Sequence, residues 1–258
     1  MTSRFNRNTL ALFALGGVAL GSLVTGEAAL ALSQEKINEQ LGNIPVFTLS
    51  DLEGNTLSTS IVNADETESV SVTHVYISPE DAAEALEVIK EEAPELAESF
   101  QVTPIPLSQI YEVATELDGD ENVIFDFVPI EEEVTYAMSL APELEAQQPG
   151  RVPLFLVSAL KKPEGATEGD VSENEAENVG RFTLTNGEEE VIPMFFKQEQ
   201  FDNILSSIQA DQPDIADSIF VDVIWLENFI SLLAQTEDSD TEIQQYQMIP
   251  TSESLNFT

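Results

Sequence analysis

Apolar positions along this chain keep two rhythms, one of period two and one of three to four, and the rhythms succeed one another in a fixed order. Residues 44–50, 56–62 and 72–77 read as strands, with Gly54-Asn55 as a hairpin turn between the first two. From residue 79 the spacing changes. Ala82, Ala85, Leu86, Ile89 and Leu96 fall at helical intervals, which predicts a helix over 79–99, then a strand at 102–106 and a helix at 107–116. The same order returns later: strands at 152–158, 180–185 and 190–196, a helix at 198–216, a strand at 220–224 and a helix at 225–235. Asn186-Gly187 is again a hairpin signal.

The two passages repeat one another residue by residue. Val75-Tyr76-Ile77 set over Met194-Phe195-Phe196 gives a constant offset of 119 positions, which carries Ala82, Leu86 and Ile89 onto Phe201, Leu205 and Ile208, and Pro94 onto Pro213. At the same offset "VTPIPLSQIY" falls on "VDVIWLENFI". The opening strands match at 108, Pro45 on Pro153. The difference of 11 is absorbed by the acidic insertion between Lys161 and Gly180, which reads as a loop. The fold class expected is α/β, of the α+β kind: a two-lobed, internally duplicated sheet-plus-helix protein with pseudo-twofold symmetry. The first lobe would span 38–142 and the second 150–235. Between them "NVIFDFVPIEEEVTYAMSLA" adds a strand and an amphipathic helix without counterpart after the second repeat. Residues 236–258 read as an acidic, polar and flexible tail.

Composition changes this picture at the N-terminus and at the surface. Arg4 and Arg7 precede an apolar run from Leu10 to Val24, and Ala29-Leu30-Ala31 offers small residues for cleavage, so residues 1–31 read as a signal peptide. Gly16, Gly17, Gly21 and Ser22 interrupt the run and argue against a retained membrane anchor. The 9 basic and 48 acidic residues become 7 and 47 once Arg4, Arg7 and Glu27 are removed. Such a surface repels nucleic acid, whose binding releases counterions only to Lys and Arg. Acids spread over nearly every polar stretch favour adaptation to a salty compartment over calcium binding or mimicry for a basic partner, though both remain open. With no cysteine, disulfides, thiol catalysis and iron–sulfur clusters are excluded.

Candidate chemistry is sparse. His74, the only histidine, sits inside a predicted strand and lacks the partners that a triad or metal centre needs. Asp118 to Asn122, "DGDEN", resembles the start of a calcium loop, but Val123 stands where the turn glycine belongs and Pro129 where a bidentate glutamate is required. Glu131, Glu132 and Glu133 open a helix, where negative charge complements the dipole. No catalytic residue, metal ligand or cofactor is therefore expected. Most aromatic residues should be core, yet a two-lobed scaffold can leave an apolar groove for segments of another chain. Phe127, Phe196, Phe155 and Trp225 are the client-binding candidates.

Several stretches in their order and spacing, "IPVFTLSD", "YISPEDAAEALEVIK", "VTPIPLSQIYEVA", "IFDFVPI" and "VPLFLVS" leading to "VIPMFFKQEQFDNIL", resemble the Tic22 family over residues 38–235. That family comprises a chloroplast intermembrane-space import component and its cyanobacterial periplasmic relatives, and the signal peptide makes this chain similar to the latter. The acidic insertion and the acidity itself depart from the family pattern. The resemblance implies a non-enzymatic, chaperone-like factor of the periplasm, or of the thylakoid lumen, without stable membrane insertion. Its partners would be unfolded precursor or outer-membrane proteins and the outer-membrane β-barrel assembly machinery. The alternative is an exported acid-rich hydrolase or ion-binding protein of a halophilic bacterium, which a convergent set of buried polar groups in a cleft would mark.

Overall fold

The strands that open the two repeats are buried on both faces. In the computed structural model of the chain, the described residues are 32–62, 69–117, 123–141, 151–160, 179–186, 189–211, 216, 218–236 and 243–257. The expected signal peptide, the calcium-loop-like turn and nearly all of the acidic insertion lie outside them. The first half runs α1 (Gln34–Gly42), β1 (Pro45–Asp51), β2 (Ser58–Val62), β3 (Ser69–Tyr76), α2 (Pro79–Glu92), α3 (Pro94–Ala97), β4 (Phe100–Pro106), α4 (Leu107–Glu116), β5 (Val123–Val128) and α5 (Glu131–Leu140). The second runs β6 (Pro153–Leu160), β7 (Val179–Arg181), β8 (Leu184–Asn186), β9 (Glu189–Phe195), α6 (Gln198–Asp211), β10 (Ile219–Trp225), α7 (Leu226–Gln235), a 3₁₀ turn at Ile243–Gln245, β11 (Tyr246–Ile249) and α8 (Ser252–Asn256).

Two mixed α/β layers result, and their sheets correspond in every strand but β7. The first sheet orders β4, β1, β3 and β5, with β2 also on β3; the second orders β10, β6, β9 and β11, with β8 on β9 and β7 on β6. Among the described residues only the β3–β5 and β9–β11 pairings are parallel. Register matches too. Phe47 faces Tyr76 as Phe155 faces Phe195, and Pro45 faces Pro106 as Pro153 faces Trp225. These pairs carry the same offsets, 108 and 119, that the repeat has in sequence.

Alternation within the strands divides the apolar residues among three cores. Ile44, Val46, Val75 and Ile77 from the first sheet join Leu154, Leu156, Ile192, Met194 and Phe196 from the second in one shared core, closed by Leu41, Ile110, Phe229 and other residues of α1, α4 and α7. Their neighbours in sequence point the other way. Phe47, Leu49 and Tyr76 pack under α2, while Phe155, Val157 and Phe195 pack under α6. At roughly 1.5–3 kcal/mol for each buried Leu, Ile or Phe, the shared core, the largest of the three, binds the two halves to one another.

Local chemistry sets the helix ends. Ser78 Oγ accepts from the Glu80 and Asp81 backbone N–H groups, and Pro79 occupies the first turn, so α2 starts where a capped helix should. The helix expected over 79–99 ends at Glu92, because Pro94 cannot continue it and restricts Ala93, whose φ is −142°. The strand expected at 180–185 is two short ones, β7 and β8, which pair with different partners. α1 is a helix that the pattern did not announce, although Ser33 accepts from the Lys36 N–H and Ile37 and Leu41 repeat at helical spacing.

The expected tail is the largest correction. After residues 237–242, which lie outside the described residues, β11 joins the second sheet and buries Met248, with Ile243 before it and Thr251 after it also buried. It is the counterpart of β5: Val128 pairs Tyr76 as Ile249 pairs Phe195, each strand is followed by a proline, Pro129 or Pro250, and each proline by a helix. The linker strand and helix thus do have structural counterparts after the second repeat. Length hid it, since β11 has 4 residues against 6 in β5, and the acidic stretch before it dominates the composition.

Candidate client-binding surface

Three of the four aromatic candidates belong to the cores and not to a surface. Phe155 is fully buried, and Phe196 and Trp225 are each 3% exposed. Strand registry decides this: Phe155 faces the outer core, Phe196 faces the shared core, and Trp225 ends β10 opposite Pro153. Phe127 on β5 is half-buried against the shared core. The four do not converge on one groove.

What converges instead is a pair of crossing helices. α5 follows the first sheet but packs on the second, where Tyr136 stacks at 5.4 Å from Phe155 and 6.4 Å from Phe201. α8 follows the second sheet but reaches the first, where Phe257 meets Phe47 edge-on at 5.1 Å. Phe47 and Phe155 are equivalent in the repeat, so the exchange is reciprocal. Aromatic contacts of this kind add about 0.5–1.5 kcal/mol beyond their area.

The crossing brings helix N-termini together around one cation. Lys197, before α6, donates from Nζ to Glu253 Oε1 of α8 at 3.1 Å, and Glu133 Oε2 of α5 accepts from the Gln198 N–H at 3.0 Å. Burial pulls the Lys197 pKa down, but Glu253, Glu199 and Glu80 outweigh it and raise the value. Burial raises the pKa of Glu133, and it raises that of Asp81 together with the charges of Glu84 and Glu80. Of the three adjacent glutamates, Glu133 therefore does more than favour a dipole: it caps the helix of the other half.

Beside α8 lies an open groove of about 300 Å³, lined by Pro45, Pro104, Ile105, Pro106 and Leu255 together with the polar Asn43 and Ser254. Leu255 is 63% exposed. The better-enclosed cavity, between Ile77, Phe196 and Pro250, has only about 10 Å³, room for a water and not for a substrate. Residues 45, 104–106 and 255 were missed because their apolar character read as strand ends and as tail.

The other sequence candidates do not assemble chemistry. His74 Nδ1 lies 3.1 Å from Asp126 Oδ2 on the neighbouring strand, and both side chains are partly exposed. Among the described residues no group of three or more His, Cys, Asp or Glu could hold a metal ion. No described helix is long and apolar enough to cross a membrane. Glu227, at the start of α7, is half-buried; burial raises its pKa, while Oε1 accepts the Val152 N–H at 3.3 Å.

Comparison with known proteins places this geometry. The sequence matches the Tic22-like family over residues 4–257. Among solved structures, Anabaena Tic22, a protein of protein transport, is similar with a TM-score of 0.68 and 24% identity, covering 87% of this chain and 95% of that one. Tic22 from Plasmodium falciparum is similar with a TM-score of 0.59 and 16% identity, covering 85% and 93%. No curated protein matches the sequence.

Proposed function

Starting from the fact that the chain belongs to the Tic22-like family, we propose that it is a non-enzymatic escort, which holds unfolded precursor or outer-membrane proteins and passes them across the periplasm to the outer-membrane β-barrel assembly machinery. Protein transport is the role of the structurally similar Anabaena protein, and it supports the reading at its coarsest level. The observation that carries the reading further is the open, mostly apolar groove at Pro45, Pro104, Ile105, Pro106 and Leu255, whose polar members, Asn43 and the buried Ser254, include no acid, base or cation. A hydrolase would need such groups, and an ion-binding protein a cluster of ligands.

A groove of this size suits weak and reversible capture. Apolar burial yields about 25 cal/mol per Å² before the ordering costs of association, so a groove this shallow holds a client without trapping it. The periplasm, reached by a cleaved signal peptide, is the compartment in which such a client would be met, and the thylakoid lumen is the second site to examine. Purified protein in high salt should suppress aggregation of an unfolded outer-membrane barrel protein, and Leu255→Ser should weaken that suppression while leaving the melting temperature nearly unchanged. No suppression and no envelope partner in a pull-down would overturn the escort reading.

A further inference from the structure

The corresponding edge strands β4 and β10 finish the two sheets differently. Leu107 N–H donates to the Ile44 carbonyl at 2.8 Å, and Leu226 N–H to the Val152 carbonyl at 2.9 Å. In an antiparallel ladder alternate residues turn both backbone groups to the partner. Residues 101, 103 and 105 of β4 therefore face β1, and residues 220, 222 and 224 of β10 face β6. The bond from Leu160 N–H to the Ser218 carbonyl, 2.9 Å, keeps the same parity at the far end.

The outward set of β4 includes Pro104 and Pro106, both exposed and neither with an N–H to offer. Proline placed this way blunts an edge against further pairing. The equivalent residues of β10 are Val223 and Trp225, with Val221 before them. Val221 and Val223 send N–H and carbonyl groups outward, and among the described residues no hydrogen bond reaches them. Their side chains, with Ile219, are half-buried on the outer face.

Only an extended backbone matches that row of donors and acceptors. A second copy of this chain is a poor match, because each carries a net charge of −39 and the two would repel. A segment with basic residues meets attraction instead.

We propose that the free edge of β10 takes up an extended segment of another polypeptide as an added strand, one with apolar residues at alternate positions and net positive charge. The proposal rests on the escort reading for its biological client. Main-chain hydrogen bonding supplies affinity that tolerates many sequences, and the alternate apolar residues lie beside Ile219, Val221 and Val223.

The test uses the full chain and a fluorescent peptide of alternating Val and Lys/Thr residues, beside the same peptide N-methylated at alternate positions and one with Glu for Lys. The Val/Lys peptide should bind. N-methylation should abolish binding, and Glu should weaken it at least tenfold at low salt. Val223→Pro, which copies Pro104 of the other sheet, should weaken it at least tenfold without loss of fold. Amide exchange in the unsubstituted chain gives a reading independent of how that variant folds: Val221 and Val223 N–H should gain protection when peptide is added. Unchanged exchange there, equal binding of the N-methylated peptide, or a solution dimer through this edge would overturn the proposal. Aggregation assays separate it from the escort reading. Suppression that a folded Val223→Pro variant matches sinks the edge alone; absent suppression with protected Val221 and Val223 sinks the escort alone.

Discussion

The two sheets agree where registry is concerned and part company where each meets what lies beyond it. Phe47 and Phe155 occupy one position of the repeat, yet Phe47 meets a single ring, Phe257, while Phe155 is held by Tyr136 and Phe201. The edge of β4 is blunted by two prolines and that of β10 is open. What must be alike is what pairs and packs: a slip of one residue would turn every strand side chain to the wrong core. What is free to differ is the finish of faces and edges, and partners meet a protein there.

The strongest way to break the correspondence is to end the chain after Thr236. This removes β11 and α8, with buried Ile243, Met248 and Thr251 and the Phe257 ring over Phe47. Loss of Ile243 and Met248 alone, at roughly 2–5 kcal/mol each, approaches the whole stability of an ordinary domain. The truncated chain should lack a cooperative unfolding transition by calorimetry. A truncation that melted like the full chain would restore the reading of residues 236–258 as a tail.

Next in size is the pair Phe155→Ala and Phe47→Ala. Each leaves a cavity and should cost about 3–5 kcal/mol. Phe155 should cost the more, by about 0.5–1.5 kcal/mol, because it loses an additional aromatic neighbour. Denaturant unfolding of both variants checks the order, and equal costs would show that Tyr136 merely covers Phe155.

Much of this was legible in the chain, for a physical reason. Where alternation and helical spacing recur at a constant offset, as from Val75 to Tyr111, one pattern serves twice and the elements follow. Legibility failed where a short element draws its stability from distant partners. β11 is 4 residues long and depends on β9. The site was less readable still. Four aromatic residues were set apart as client-binding candidates by type, but Phe155, Phe196 and Trp225 are buried, because the most apolar positions are those the cores consume. The groove at Pro104 and Leu255 is assembled from segments roughly 150 residues apart, which no local pattern announces.

A smaller effect separates the helices that follow the two edge strands. α4 begins with Leu107 and Ser108, while α7 begins with Leu226 and Glu227, an acid equivalent to the serine. Glu227 Oε2 is buried without a hydrogen-bond partner. An acid whose folded-state pKa lies above its unfolded value binds its proton more tightly in the folded chain. Its contribution to stability is therefore complete below the unfolded pKa, near 4.5, and is lost as pH rises through the raised value. Glu227→Gln should raise the melting temperature at pH 8, by less than the substitutions above change it. The gain should shrink toward pH 4.5. Measurement in 1 M salt, where screening acts over about 3 Å, keeps the general repulsion among acids from masking the local effect. A gain independent of pH would assign the effect to packing instead.

The smallest expected change in stability comes from converting one edge into the other. Pro104→Val restores an outward N–H on β4 at an exposed position already paired with Phe47, so no core contact is lost. Proline restricts the unfolded chain, and its removal should cost only about 0.4–1 kcal/mol, readable as a slightly lower denaturant midpoint with an unchanged slope. Binding is the sharper measure. If the prolines are what closes β4, Pro104→Val with Pro106→Val should let a second strand-forming peptide bind, moving the stoichiometry from one per chain toward two. If stoichiometry stays at one while β10 continues to bind, then the missing N–H groups are not what closes the first edge. The contrast between the sheets would then not lie in hydrogen bonding.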